Sequence, residues 1–192
     1  RIYCHPQVSE TNIENLFHAI RLFFLFTAQR NGLFAIHSAS VLYQGKAWLF
    51  SGHSGMGKST HTALWHELFS VPYLNGDLNL LGLQEGRIIA YGIPWCGTSE
   101  IFTTEQYELG GIVLLGRDPH TDYLEELTPS EKVLRVMQRM ISPAWKERQL
   151  SENLFFAEEI ADHVPVLYLL CTKNASAACT IKDVIDRLED SQ

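Results

Sequence analysis

The chain has 192 residues, 46% of them hydrophobic, and a formal net charge of -7. Such a length and hydrophobic share fit one domain, residues 1–192, with a core of its own. The negative balance gives nucleic-acid backbones and anionic membrane surfaces no general attraction, which argues against both as main partners. Residues 22–28, the most apolar run, are far too few to span a bilayer, and four cysteines without a C-x-x-C pair or metal-ligand spacing fit a reducing, cytoplasmic location. Of these, Cys171 and Cys179 read as buried thiols.

Residues 1–9 carry Pro6 and little pattern, and read as an edge strand or a tail. From Thr11, with Glu14 as its capping-box partner, apolar positions 13, 16, 17, 20, 23, 24 and 27 recur at helical spacing until Asn31-Gly32 stops the helix. Residues 1–32 are therefore expected to pack on the core as an N-terminal segment, with Phe17, Phe23, Phe24 and Phe26 as core or partner surface. Residues 33–43 read as one strand or a broken pair. Gln44-Gly45 then turns the chain into a buried strand over 46–51.

Gly52-His53-Ser54-Gly55-Met56-Gly57-Lys58-Ser59-Thr60 follows and matches G-x-x-x-x-G-K-[ST] without a substitution. A helix over 61–69, apolar at 64, 65, 68 and 69, completes the strand, loop and helix context that this motif requires. Glycines at 52, 55 and 57 permit backbone conformations closed to larger residues, so successive N–H groups can turn inward around a phosphate. The helix N-terminus adds a positive end, Lys58 a point charge for the outer phosphates, and the Ser59 hydroxyl a ligand for Mg²⁺.

Residues 71–77 form a short apolar run ending in Asp77, and 78–83 and 87–91 read as a hairpin turned at Gln84-Glu85-Gly86. Residues 92–100 are loop by their Gly and Pro content, and glycine-rich loops of that length are often functional. A buried strand over 109–115 follows, then a polar connection over 117–127. Thr128-Pro129-Ser130-Glu131 opens a helix to about Ile141, with Val133, Leu134, Val136, Met137 and Met140 facing inward. A helix over 152–163, a core strand over 164–171 and a helix over 181–188 close the chain.

Asp77 ends an apolar strand about twenty residues after the glycine-rich loop, where a carboxylate can hold Mg²⁺ through water or take a proton from an attacking hydroxyl. Its alternative is a turn aspartate after Asn75-Gly76. His37 lies on a strand that can run beside the one feeding the loop, which would bring an imidazole near a terminal phosphate; otherwise it is a hydrogen-bonded core residue. His53 is expected to point outward, and His61 and His66 to be structural. Glu100 reads as a second carboxylate or a solvated loop charge. Arg117, Arg135, Arg139 and Arg148 could each neutralise phosphate charge, and their spacing selects none.

His37-Ser38-Ala39-Ser40-Val41, Gly45-Lys46-Ala47 and the run Lys58-Ser59-Thr60-His61-Thr62 with Leu64-Trp65 together resemble the HPr kinase/phosphorylase-like proteins. The resemblance is to a small branch often labelled ATP-dependent phosphoenolpyruvate carboxykinase-like. Leu74-Asn75-Gly76-Asp77, Ala90-Tyr91-Gly92-Ile93-Pro94-Trp95-Cys96-Gly97 and Gly110-Gly111-Ile112-Val113-Leu114-Leu115 extend it. It implies an α/β fold: a P-loop core of the phosphoenolpyruvate carboxykinase/HPr kinase type, with a mixed sheet and flanking helices, in one kinase-like domain.

The same resemblance implies ATP and Mg²⁺ as cofactors and transfer of the γ-phosphoryl group to a hydroxyl, foremost a serine of a peptide or small protein. A small-molecule hydroxyl acceptor, or nucleotide binding without turnover, are the alternatives, and a homo-oligomer is left open. By motif match, Gly52, His53, Ser54, Gly55, Met56, Gly57, Lys58, Ser59 and Thr60 would hold the nucleotide and Ser59 and Asp77 the metal. Asp77, Lys58 and His37 would be catalytic. The chain departs from the family where Asp77 is flanked by Gly76 and Leu78 rather than by a second aspartate. It also lacks the glycine and glutamate signature of true HPr kinases after the core.

Overall fold

A computed structural model describes residues 13–190. The proposed edge strand or tail, Cys4 and the Thr11 half of the capping box lie outside the described residues. Within them the architecture is mixed α/β, five helices around a mixed sheet. The order is α1 (Ile13–Arg30), β1 (Leu33–Tyr43), β2 (Lys46–Ser51), α2 (Lys58–Phe69), β3 (Tyr73–Asn75), β4 (Leu78–Gln84), β5 (Arg87–Tyr91) and β6 (Gln106–Arg117). Then come β7 (Tyr123–Glu125), α3 (Pro129–Met137), α4 (Glu147–His163), β8 (Val166–Cys171) and α5 (Ala175–Glu189).

Two long strands organise the sheet by changing partners along their length. β1 pairs antiparallel with β4 through residues 33–37, then with β2 through residues 38–43. β6 pairs antiparallel with β5 at its start, then parallel with β2 and with β8. With β4 paired to β5, the contacts β1–β4–β5–β6–β2 close a ring. β3 adds to β1 and β7 to β8, both antiparallel.

β2 is buried on both faces, which is why its sequence is an unbroken apolar run. Trp48 and Phe50 point to one face, where α2 and α5 supply Trp65, Ala177 and Ile181. Ala47 and Leu49 point to the other, where α3 and α4 supply Val136, Phe156 and Ile160. Complete burial of a side chain of this size contributes roughly 1.5–3 kcal/mol, so β2 is fixed from both sides and its last residue is a firm base for the loop that follows. α1 rests on Ala35, Leu78 and Leu80 through Leu25 and Ala28. Its buried Gln29 side chain donates to Pro143 O at 2.9 Å and to Asn153 Oδ1 at 2.8 Å, tying α1 to α4.

Several expectations are corrected. Of the two readings of residues 33–43 the single strand holds, as β1, whereas β6 extends three residues earlier and two later than the apolar run because β5 and β8 pair with its ends. The polar connection contains β7. α3 stops at Met137 rather than near Ile141, because residues 139–141 pair with β1: His37 N donates to Arg139 O and Ile141 N to Ala35 O, both at 2.9 Å. α4 and α5 each start several residues earlier than expected. The inner face of α2 carries His61, Thr62 and Trp65, whereas Leu68 is exposed. Leu134 is likewise exposed on α3. Cys171 is buried as expected, but Cys179 is exposed, since α5 turns Ala177, Ala178 and Ile181 inward and its neighbour outward. On α1, Phe17 and Phe23 are exposed while Phe24 packs on Trp95 at a ring separation of 4.5 Å. No helix among the described residues is long and apolar enough to cross a membrane.

Candidate functional site

Residues 52–57 leave the C-terminal end of β2 and enter α2 at Lys58. Gly57 occupies the helix N-cap position in the left-handed region, φ 100°, a conformation that a residue with a Cβ rarely adopts. No side chain caps α2. Its first-turn N–H groups therefore lack the side-chain acceptor found at most helix starts, and with the helix dipole they present a positive end to an anion. Ser59, Thr60, Ser54 and His53 are all exposed around this loop, whereas Lys58 is buried and donates from Nζ to Gly52 O at 3.3 Å. Burial pushes the Lys58 ammonium below its ordinary value; Asp77 opposes that and Arg139 adds to it.

β1 runs antiparallel to β2 with Ser38 opposite Ser51, so His37 sits just beyond the paired stretch, beside the origin of the loop. Ser51 Oγ donates to His37 O at 2.6 Å. His37 Nε2 lies 3.2 Å from Asp77 Oδ1. This bond is the main cause holding the Asp77 carboxyl below its ordinary 3.8; burial works against it, and Lys58 and, more distantly, Arg21 help it. The structure thus brings His37, Asp77 and Lys58 into one electrostatic neighbourhood at the end of β2.

Asp77 is placed by Asn75, which is buried. The Asn75 Oδ1 atom accepts from Asp77 N at 3.0 Å and Leu78 N at 3.1 Å, an Asx turn, while its Nδ2 donates to Ile93 O at 2.9 Å. Ser38, Ser40 and Asn79 continue this buried polar network between β1 and β4. The turn reading of Asp77 is met, and that turn sets the position of its carboxylate. Residues 96–101 close over it: a Cβ on Gly76 would lie 1.9 Å from Ser99 Oγ, and one on Gly97 3.0 Å from Asp77 Cβ. Asn75, Ser99 and Gly97 were not singled out from the sequence, although Asn75-Gly76 carried a turn signal. Glu100 is exposed, in the left-handed region at φ 57°.

Among the arginines, Arg148 is taken up by Glu152 on the surface of α4 at 2.7 Å. Arg139 Nη2 reaches His53 Nε2 at 3.1 Å, and Arg117 Nη2 donates to Gly55 O at 3.1 Å, so both border the loop. His61 is buried against Phe50 with its Nε2 unpartnered, and burial drives its pKa from 6.5 to about 4. His66 Nδ1 makes a 2.9 Å hydrogen bond with Val71 O. Among the described residues no group of three or more His, Cys, Asp or Glu side chains is arranged to hold a metal ion.

The fold and site together define a mixed α/β protein with an uncapped, glycine-rich strand-to-helix loop beside a His–Asp pair. No protein-family model matches the chain, and no curated protein matches it. Among solved structures it is similar to the Hpr(Ser) kinase/phosphatase from Coxiella burnetii, with 10% sequence identity and a TM-score of 0.45 over 82% of this chain and 95% of that one.

Proposed function

We propose that this protein is an ATP- and Mg²⁺-dependent kinase that transfers the γ-phosphoryl group to a hydroxyl, foremost a serine of a peptide or small protein. One observation carries the reading: a complete G-x-x-x-x-G-K-[ST] sequence spans the turn from β2 into an uncapped α2, beside a His37–Asp77 pair. The amides of residues 52–60 would surround the phosphates, and Lys58 would stabilise the charge that builds up on transfer. His37 engages one Asp77 oxygen and fixes the carboxylate, leaving the other oxygen to orient the acceptor hydroxyl or take its proton. Catalysis of this kind is mostly positioning and charge neutralisation.

The Ser59 hydroxyl and the Asp77 carboxylate fit a hard, oxygen-seeking cation that takes its other ligands from nucleotide and water. Bound Mg²⁺ supplies charge neutralisation on the phosphate oxygens. Incubation with γ-labelled ATP, Mg²⁺ and serine-containing peptides is expected to label the peptide. A second reading, a nucleotide-binding module without turnover, draws on the single carboxylate: Gly76 and Leu78 flank Asp77. Tight nucleotide binding with no label transfer to any peptide or small hydroxyl compound would favour it, and no nucleotide binding at all would end both.

A further inference from the structure

On the β6 and β8 side of the loop, a cavity of about 350 Å³ opens beneath the C-terminal end of α3. Three guanidinium groups line it, those of Arg117, Arg135 and Arg139, together with His53. Among the described residues none of the three forms an ion pair with a carboxylate. Each is instead held by a group other than a carboxylate. Arg117 donates to the Gly55 carbonyl, Arg135 lies 4.0 Å above the centre of the Tyr168 ring, and Arg139 contacts His53. Arg139 Nε is shut away from solvent with no partner at all.

These contacts fix the cations without neutralising them. Like charges around one partly enclosed space repel, and burial together with Arg135 pushes the Arg139 guanidinium below its ordinary value. An entering anion would relieve that repulsion, and planar forks of this kind match phosphate and carboxylate oxygens.

The cavity reaches the loop as well as the sheet, since Ser51, His53 and Met56 line it. Its Leu114 and Tyr168 walls lie on the α3 face of the sheet, and its Leu115 and Met56 walls on the face where α2, whose N-terminus faces the proposed polyphosphate, packs. Arg139 is also one backbone hydrogen bond from His37. We propose that this cavity is an anion subsite for the phosphoryl acceptor, taking a phosphate or carboxylate group carried near the reacting hydroxyl. The assignment to the acceptor rests on the kinase reading; the existence of the subsite does not.

The test is calorimetric titration of inorganic phosphate into protein already saturated with Mg²⁺ and a non-hydrolysable ATP analogue. Wild type is expected to bind one phosphate, and Arg135→Gln, with wild-type circular dichroism, to bind it at least tenfold more weakly while keeping its affinity for the analogue. Lys58→Ala, titrated without nucleotide, is expected to keep the phosphate site, so a failed loop and a failed subsite give different results. Displacement of phosphate by the analogue, or unchanged phosphate affinity in Arg135→Gln, overturns the proposal. A serine peptide bearing a free carboxylate is expected to compete with phosphate while its amidated, neutral counterpart does not. Phosphate binding that the acidic peptide leaves untouched overturns the acceptor assignment.

Discussion

His37 Nε2 stands 3.2 Å from Asp77 Oδ1, although a glycine-rich loop and a twelve-residue helix lie between them in the chain. β1 supplies one partner and the turn between β3 and β4 the other, and Ser38 N donating to Asp77 O at 3.0 Å joins the two backbones. The consequence is a carboxylate whose ionised form is favoured and whose orientation is set before any ligand arrives.

Asp77→Asn is therefore expected to lower phosphoryl transfer by roughly 10²- to 10⁴-fold, the range of a positioned acid–base group, while analogue affinity by calorimetry is reduced but not lost. His37→Gln removes the group that favours the charged carboxyl. The Asp77 carboxyl then rises toward its ordinary 3.8, and the acid limb of the pH–rate profile moves to higher pH. An unmoved limb would show that Asp77 does not set it.

Lys58→Ala removes a buried ammonium at the start of α2. Losing a charged hydrogen bond costs about 1.5–3 kcal/mol, so ATP-analogue affinity is expected to fall roughly ten- to a hundredfold. Calorimetry showing wild-type affinity would detach the lysine from nucleotide binding.

His61 gives a pH dependence of stability with a definite sign. Its pKa is about 4 in the folded chain against 6.5 when free, so the unfolded chain binds the extra proton first. The stabilisation, on the order of 3 kcal/mol, is complete above pH 6.5 and is lost as pH falls through that value toward 4. Urea titrations of wild type and His61→Phe across this window are expected to show the slope in wild type and its loss in the variant.

Gly76→Ala would force a methyl group against Ser99. Overpacking of this kind costs about 1–3 kcal/mol, which in a chain of this size lowers Tm by about 2–4 °C per kcal/mol. Ser99→Gly on top of it opens the space, and partial recovery of Tm is expected by thermal denaturation; a double variant no better than Gly76→Ala would place the strain elsewhere.

Local signals were enough to read β2, the loop and α2, because an apolar run, a motif and a helix coincide there within about twenty-five residues. They were not enough for the ends of β6, where Glu108 is polar and its strand state comes from pairing with Ile89. Nor could they stop α3, since Gln138 and Arg139 suit a helix and only the backbone of β1 draws the following residues away. In α5, Ala175 to Cys179 are too uniformly small to show a face. The same division holds for the site. The candidate residues His37, Lys58 and Asp77 were legible one by one, whereas selecting Arg117, Arg135 and Arg139 over Arg148 required knowing which strands and helices meet.

The partner change along β1 has a mechanical outcome. One rigid rod of eleven residues is stitched to β4 at its start and to β2 at its finish, with the imidazole at the crossing. Sliding either neighbour along the rod would break hydrogen bonds on both sides at once, so the spacing between the His37–Asp77 pair and the loop behaves as a fixed gauge. Any motion the site needs then falls to segments outside the paired strands, residues 92–105 and the loop itself among them.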